Sequence, residues 1–119
     1  MPGRMWSLDR KRRLREARLR SSLRSVVRQL KGMGAVKIVL FGSLARGEVH
    51  THSDLDLLVV MPASRSGREW AGRIYSEVRR GVACDILVFN EEELARDLPA
   101  SRFLRHVLAS GRALYEKAG

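Results

Sequence analysis

Two aspartates, Asp54 and Asp56, stand one residue apart in SDLDLLVV, beside Leu55, Leu57, Leu58, Val59 and Val60. Aspartate is depleted in strands, and a buried carboxylate without a partner is costly. Strand residues i and i+2 share a face, so the pair is expected to project together, about 6–7 Å apart at ~3.3 Å per residue. A third carboxylate, Asp85, lies in VACDILVF, again among apolar neighbours. If these two segments are adjacent strands, all three carboxylates converge on one spot. Clustered anions repel, and each resists ionising. A divalent cation removes that repulsion. Hard oxygen ligands suit Mg²⁺, which takes few protein carboxylates and completes its shell with water and phosphate. Two such ions about 4 Å apart clamp the attacking and leaving oxygens of a phosphoryl displacement.

GSLARG, residues 42–47, supplies the other half of such a site. It follows an apolar run and carries a glycine at each end. Gly42 lets the backbone approach a ligand closely. Backbone N–H groups in such a turn, or at a helix start, bind phosphate. Ser43 adds a hydroxyl donor. The carboxylates would then hold metal, and the turn a nucleoside triphosphate.

Plainer readings compete. Asp54 and Asp56 could be solvated carboxylates at a sheet edge, but apolar sequence on both sides argues for burial. Asp85 could be one half of a structural ion pair, and Ser43 a simple cap. Arg46 either steadies the turn by a salt bridge or touches phosphate. Ser53 is read first as a cap on the turn before the strand. His50 and His52 form an H-x-H with too few companions for a transition-metal site, and are read as solvated. Cys84 neighbours Asp85 and is expected on the opposite face, in packed core. Trp70 and Tyr75 are expected to cover the sheet.

The elements that must position these groups follow from periodicity. Leu19, Leu23, Val26, Val27 and Leu30 trace one helical face within residues 8–31, a stretch without Pro or Gly that closes at Gly32 and Gly34. Strands are expected at 35–41, 53–61 and 82–89. A helix is expected over 68–81, from Trp70, Ile74, Tyr75 and Val78. Asn90 should cap a helix whose first turn is Glu91, Glu92 and Glu93. Pro99 breaks it. Residues 100–110 read as a last helix, and RALYE as a short final strand. The sum is a mixed α/β (α+β) sandwich around a small sheet. It is read as one domain over 1–119: a basic amphipathic helix at 8–31, a catalytic core at 35–90 and C-terminal helices at 91–119.

Bulk properties narrow the partners. The chain has 119 residues and a net charge of +10. Residues 1–31 hold eleven Lys/Arg against Asp9 and Glu16, and so carry nearly all of the excess. The basic helix could serve nucleic acid, but no aromatics interleave its arginines for base stacking, so nucleic acid is not favoured. No apolar run approaches the ~18 residues needed to cross a membrane, and the basic start has no apolar run of a secretory signal. A single cysteine, Cys84, fits a reducing, cytoplasmic setting.

The run from Gly42 to Leu57 resembles the signature of minimal nucleotidyltransferases of the DNA polymerase β superfamily: Gly-Ser, then Ala-Arg-Gly, then Ser-Asp-x-Asp-Leu. Gly42, Ser43, Ala45, Arg46, Gly47, Ser53, Asp54, Asp56 and Leu57 match it. The likeness covers about residues 36–90, and the flanks only in general layout. It implies a polymerase β-like fold in which Asp54 and Asp56 ligate two Mg²⁺ ions, with Asp85 as the third carboxylate on a nearby strand. It also implies ATP as substrate, with Gly42, Ser43, Arg46, Gly47 and Ser53 forming the nucleotide-binding turn. Such proteins are commonly paired with a helical HEPN-type partner. The resemblance therefore implies an antitoxin of a toxin–antitoxin system that adds AMP to a tyrosine of the HEPN protein. Little chain follows Asp85, so the acceptor site is expected from a second copy or another protein. Two other functions fit the same residues: transfer to a small molecule or an RNA end, and a non-catalytic module that neutralises its partner by contact.

Overall fold

The computed structural model describes residues 2–49 and 54–118, with side chains from Leu8 onward. Ser53, His50 and His52 lie outside the described residues. Helix α1 spans Pro2–Gly32, starting earlier than the apolar periodicity indicates. Strand β1 (Lys37–Phe41) leads through the glycine turn to β2 (Leu55–Met61). Helix α2 (Gly67–Glu77) joins β2 to β3 (Cys84–Asn90). Helix α3 (Glu91–Asp97), a 3-10 turn (Leu98–Ala100), α4 (Arg102–Ser110) and β4 (Arg112–Glu116) complete the chain.

The four strands form one sheet in the order β3-β2-β1-β4. β1 is antiparallel to both neighbours, while β2 and β3 run parallel, joined by the α2 crossover. The sheet is mixed and flanked by helices, as the sequence indicates.

Both sheet faces are buried over β2 from Leu57 to Met61, which explains the unbroken apolar run there. Leu55, Leu57, Val59 and Met61 point toward α1 and α2, where they meet Leu19, Leu23, Val26 and Leu30 of the helical stripe and Trp70 and Ile74. Leu58 and Val60 point the other way, toward Leu104 and Val107 of α4. Cys84 packs against the first of these clusters, on the face opposite Asp85, as alternation requires.

The element ends are set by local chemistry. Ser66 caps α2 by accepting from the Glu69 N–H at 3.1 Å. Asn90 caps α3 in a capping box: its carboxamide oxygen accepts from Glu93 N–H at 2.8 Å, and the Glu93 carboxylate accepts from Asn90 N–H at 2.9 Å. Tyr75 stays partly exposed and serves the sheet edge. Its hydroxyl accepts from the Ile86 N–H at 2.8 Å, satisfying a donor of edge strand β3. Among the described residues, no helix is long and apolar enough to cross a membrane.

Candidate active site

Asp56 and Asp85 are each the second residue of their strand, and parallel pairing makes them direct Cα partners. On the other side of β2, antiparallel pairing sets Phe41, the last residue of β1, against Asp56. The chain leaves β1 at that point to form the glycine turn. One end of the sheet thus gathers both aspartates and the turn. Alternation places them on the face that carries Leu58 and Val60, toward α4.

Gly42 meets Asp56 closely. Its φ is +80°, in the left-handed region that favours glycine. A Cβ built there would overlap the Asp56 carboxylate, lying 3.0 Å from its Cγ. The first glycine therefore serves two ends: it turns the chain, and it leaves room for the acid. The turn is held by Arg46 N–H donating to Gly42 O at 3.3 Å and Glu48 N–H donating to Ser43 O at 2.9 Å. Leu44 anchors it in the α1-facing core. Gly47, at φ +73°, reverses the chain at the far end. Ser43 is half-buried, and Arg46 is exposed and pairs with Glu48 at 3.0 Å.

The third acid sits differently. Asp54 lies one residue before β2 and is exposed. Its Oδ1 meets the Arg15 guanidinium of α1 at 3.4 Å. The apolar neighbours of the aspartates predict burial for the pair, but only Asp56 is half-buried, while Asp54 and Asp85 are exposed. Asp54 precedes the strand and Asp85 lies on edge strand β3, whereas Asp56 lies on β2 between two neighbours. Sequence reasoning missed Arg15 on Asp54, for which the sequence offers no signal beyond the general basicity of α1.

The three acids nonetheless share one electrostatic field. Burial pushes the Asp56 carboxyl above the usual carboxylate range, the neighbouring charges of Asp85 and Asp54 push it further, and Arg46 opposes them. A hard cation would relieve this repulsion, so the donor chemistry fits Mg²⁺. The ligand set is not preformed: among the described residues no three of His, Cys, Asp and Glu stand grouped to hold a metal ion. Asp54 would have to turn from Arg15 to join Asp56 and Asp85. Cys84, beside Asp85, points to the opposite face of β3 and packs against the α1-facing core, away from the acids. Burial first, and the nearby aspartates in addition, push its thiol up to about 12 against the opposing charge of Arg80, which leaves it neutral.

Carboxylates that repel one another, next to a glycine turn at one end of a mixed sheet, are what phosphoryl-transfer chemistry asks of an α/β domain. Residues 20–109 match the nucleotidyltransferase domain family, well over half of the chain, and the chain belongs to that family. Nucleotidyl transfer is therefore its class of chemistry. Comparison with curated proteins and with solved structures gives no significant match.

Proposed function

We propose that this chain is an Mg²⁺-dependent adenylyltransferase that moves AMP from ATP onto a tyrosine hydroxyl of a HEPN-type toxin, and so acts as an antitoxin. The observation that carries the metal-dependent part is the pairing of Asp56 with Asp85 beside Gly42. The choice of a HEPN-type acceptor rests on the family resemblance of residues 42–57. An external acceptor also suits a chain whose described residues form a single sheet with its covering helices.

In this reading Asp54, Asp56 and Asp85 hold the metal, and the turn from Gly42 to Gly47 receives the β- and γ-phosphates through its backbone N–H groups and Ser43. The metal, when bound, neutralises the phosphate charge that develops during transfer. The acceptor oxygen attacks the α-phosphorus, and the bond from that phosphorus to the pyrophosphate bridging oxygen breaks. The acceptor proton passes to the Asp85 carboxylate, which is exposed and so open to an incoming hydroxyl. Pyrophosphate leaves.

The basic face of α1, with Leu8 and Leu14 exposed on it, would suit an acidic partner surface with apolar patches. The acceptor is tested by co-expressing the chain with the protein encoded beside it and measuring the partner's mass. A gain of one AMP on a tyrosine supports the proposal. Transfer to RNA ends or a small molecule, with the partner unmodified, replaces the acceptor. Neutralisation of the partner by an Asp56→Asn chain would instead favour contact alone.

A further inference from the structure

A cleft of about 290 Å³ opens between the glycine turn and α4. Gly42, Ala45 and Arg46 form its turn side. Phe103, His106 and Ser110 line its α4 side, and Phe41 its floor. The volume is near the lower end of small-ligand sites, enough for one nucleoside-sized group. We infer that this cleft seats the base and ribose of the nucleotide, and that α4 is the element that selects it. This rests on the nucleotidyl-transfer reading of the neighbouring turn.

The turn that would take the phosphates is also one wall of the cleft, so a ligand bound through its phosphates runs into the cleft without leaving the protein surface. Asp56 is paired with Phe41 at the cleft floor, and Gly42 of the turn sits against its carboxylate, which ties the acids to the same walls.

Phe103 is 51% exposed on a helix that buries Leu104 and Val107. Its ring meets Phe41 edge to face, with centroids 5.9 Å apart and planes at 83°. Phe41 thus fixes the ring's orientation while half of its surface stays open. A fixed aromatic with an open surface is a stacking platform for a base.

Ser110 Oγ donates to His106 O at 2.7 Å, which leaves its lone pairs to accept. The same oxygen lies 3.4 Å from His106 Nε2. An imidazole and a hydroxyl at the rim offer both a donor and an acceptor to ribose hydroxyls or a base edge. Phe103, His106 and Ser110 recur at helical spacing, so one face of α4 presents all three.

Stacking and phosphate binding are separable by ligand. The test is calorimetric titration, in Mg²⁺, of wild type, Phe103→Ala and Phe103→Tyr with two ligands: α,β-methylene-ATP, which cannot transfer AMP, and inorganic tripolyphosphate. Wild type is expected to bind the nucleotide analogue at least about tenfold more tightly than tripolyphosphate, and Phe103→Ala to lose about tenfold on the analogue alone. Phe103→Tyr keeps the stack and should keep the affinity. Phe103 is exposed, so the alanine variant is expected to melt with the wild type. Equal analogue binding by wild type and Phe103→Ala overturns the inference, as does equal binding of both ligands by wild type. Either result leaves nucleotidyl transfer standing, since tripolyphosphate still binds. Failure of wild type to bind either ligand overturns both.

Discussion

Asp56 and Asp85 face each other as Cα partners across the parallel pair β2 and β3, while Gly42 sits against the Asp56 carboxylate from the side of β1. Two strand pairings, one parallel and one antiparallel, thereby bring three distant segments of chain to one sheet end. The chemistry proposed for the site depends on that convergence.

Gly42→Ala tests it sterically. The substitution places a Cβ on the Asp56 carboxylate and forces alanine into the left-handed region. The backbone alone should cost about 1–2 kcal/mol. Urea unfolding should show that loss, and transfer activity should fall further than stability does, because Asp56 must move. Gly47→Ala shares the positive φ but meets nothing within 4 Å, so it should lose stability without a comparable loss of activity.

Asp56 also carries a pH signature. Its folded pKa is raised above the unfolded value, chiefly by burial and then by Asp85 and Asp54. Between those two values the native state binds more protons than the unfolded chain, so stability falls as pH rises through the window. Below it the penalty is absent, and above it the penalty is complete. Metal-free Asp56→Asn should therefore match wild type under acid conditions and exceed it in melting temperature at neutral pH. Mg²⁺ should remove that difference by stabilising only the wild type.

Arg15 and Asp54 make a competition experiment. Their contact, 3.4 Å and partly solvated, should contribute less than about 1 kcal/mol to stability. It nevertheless occupies an oxygen that the proposed metal site would use. Arg15→Ala should bind Mg²⁺ more tightly, by a few-fold in a calorimetric titration, with little change in unfolding free energy. Weaker Mg²⁺ binding by this variant would mean that Arg15 supports the site rather than competing for Asp54.

Much of this was legible from residue types and spacing. The β-branched runs of β1, β2 and β3 and the Asn90 cap mark themselves, because each records a local preference. Even the short β4 shows in RALYE. The aspartate pair stood out because acids inside an apolar strand oppose that preference. What the sequence could not show is non-local. Asp54 leaving the strand to meet Arg15, 39 residues away, depends on where α1 crosses the sheet end. The exposure of Asp54 follows from where β2 begins, and that of Asp85 from the place of β3 at the sheet edge; neither strand boundaries nor strand order are strongly encoded locally. Phe103, His106 and Ser110 share a helical face, but the facing turn that makes a cleft of it appears only in three dimensions.

Cys84 offers a check on the opposite face of β3. Its thiol, pushed up to about 12 by burial above all, should react slowly with iodoacetamide at pH 8 in the native protein and rapidly in urea. Fast native labelling would mean that β3 does not pack as described.

The most direct measurement is transfer from α-labelled ATP in Mg²⁺, with and without the protein encoded beside this chain, comparing wild type with Asp56→Asn. The account predicts label on the partner with wild type and a drop of about a thousandfold with Asp56→Asn, equivalent to ~4 kcal/mol of barrier. Undiminished labelling by Asp56→Asn, with the variant folded, would contradict it.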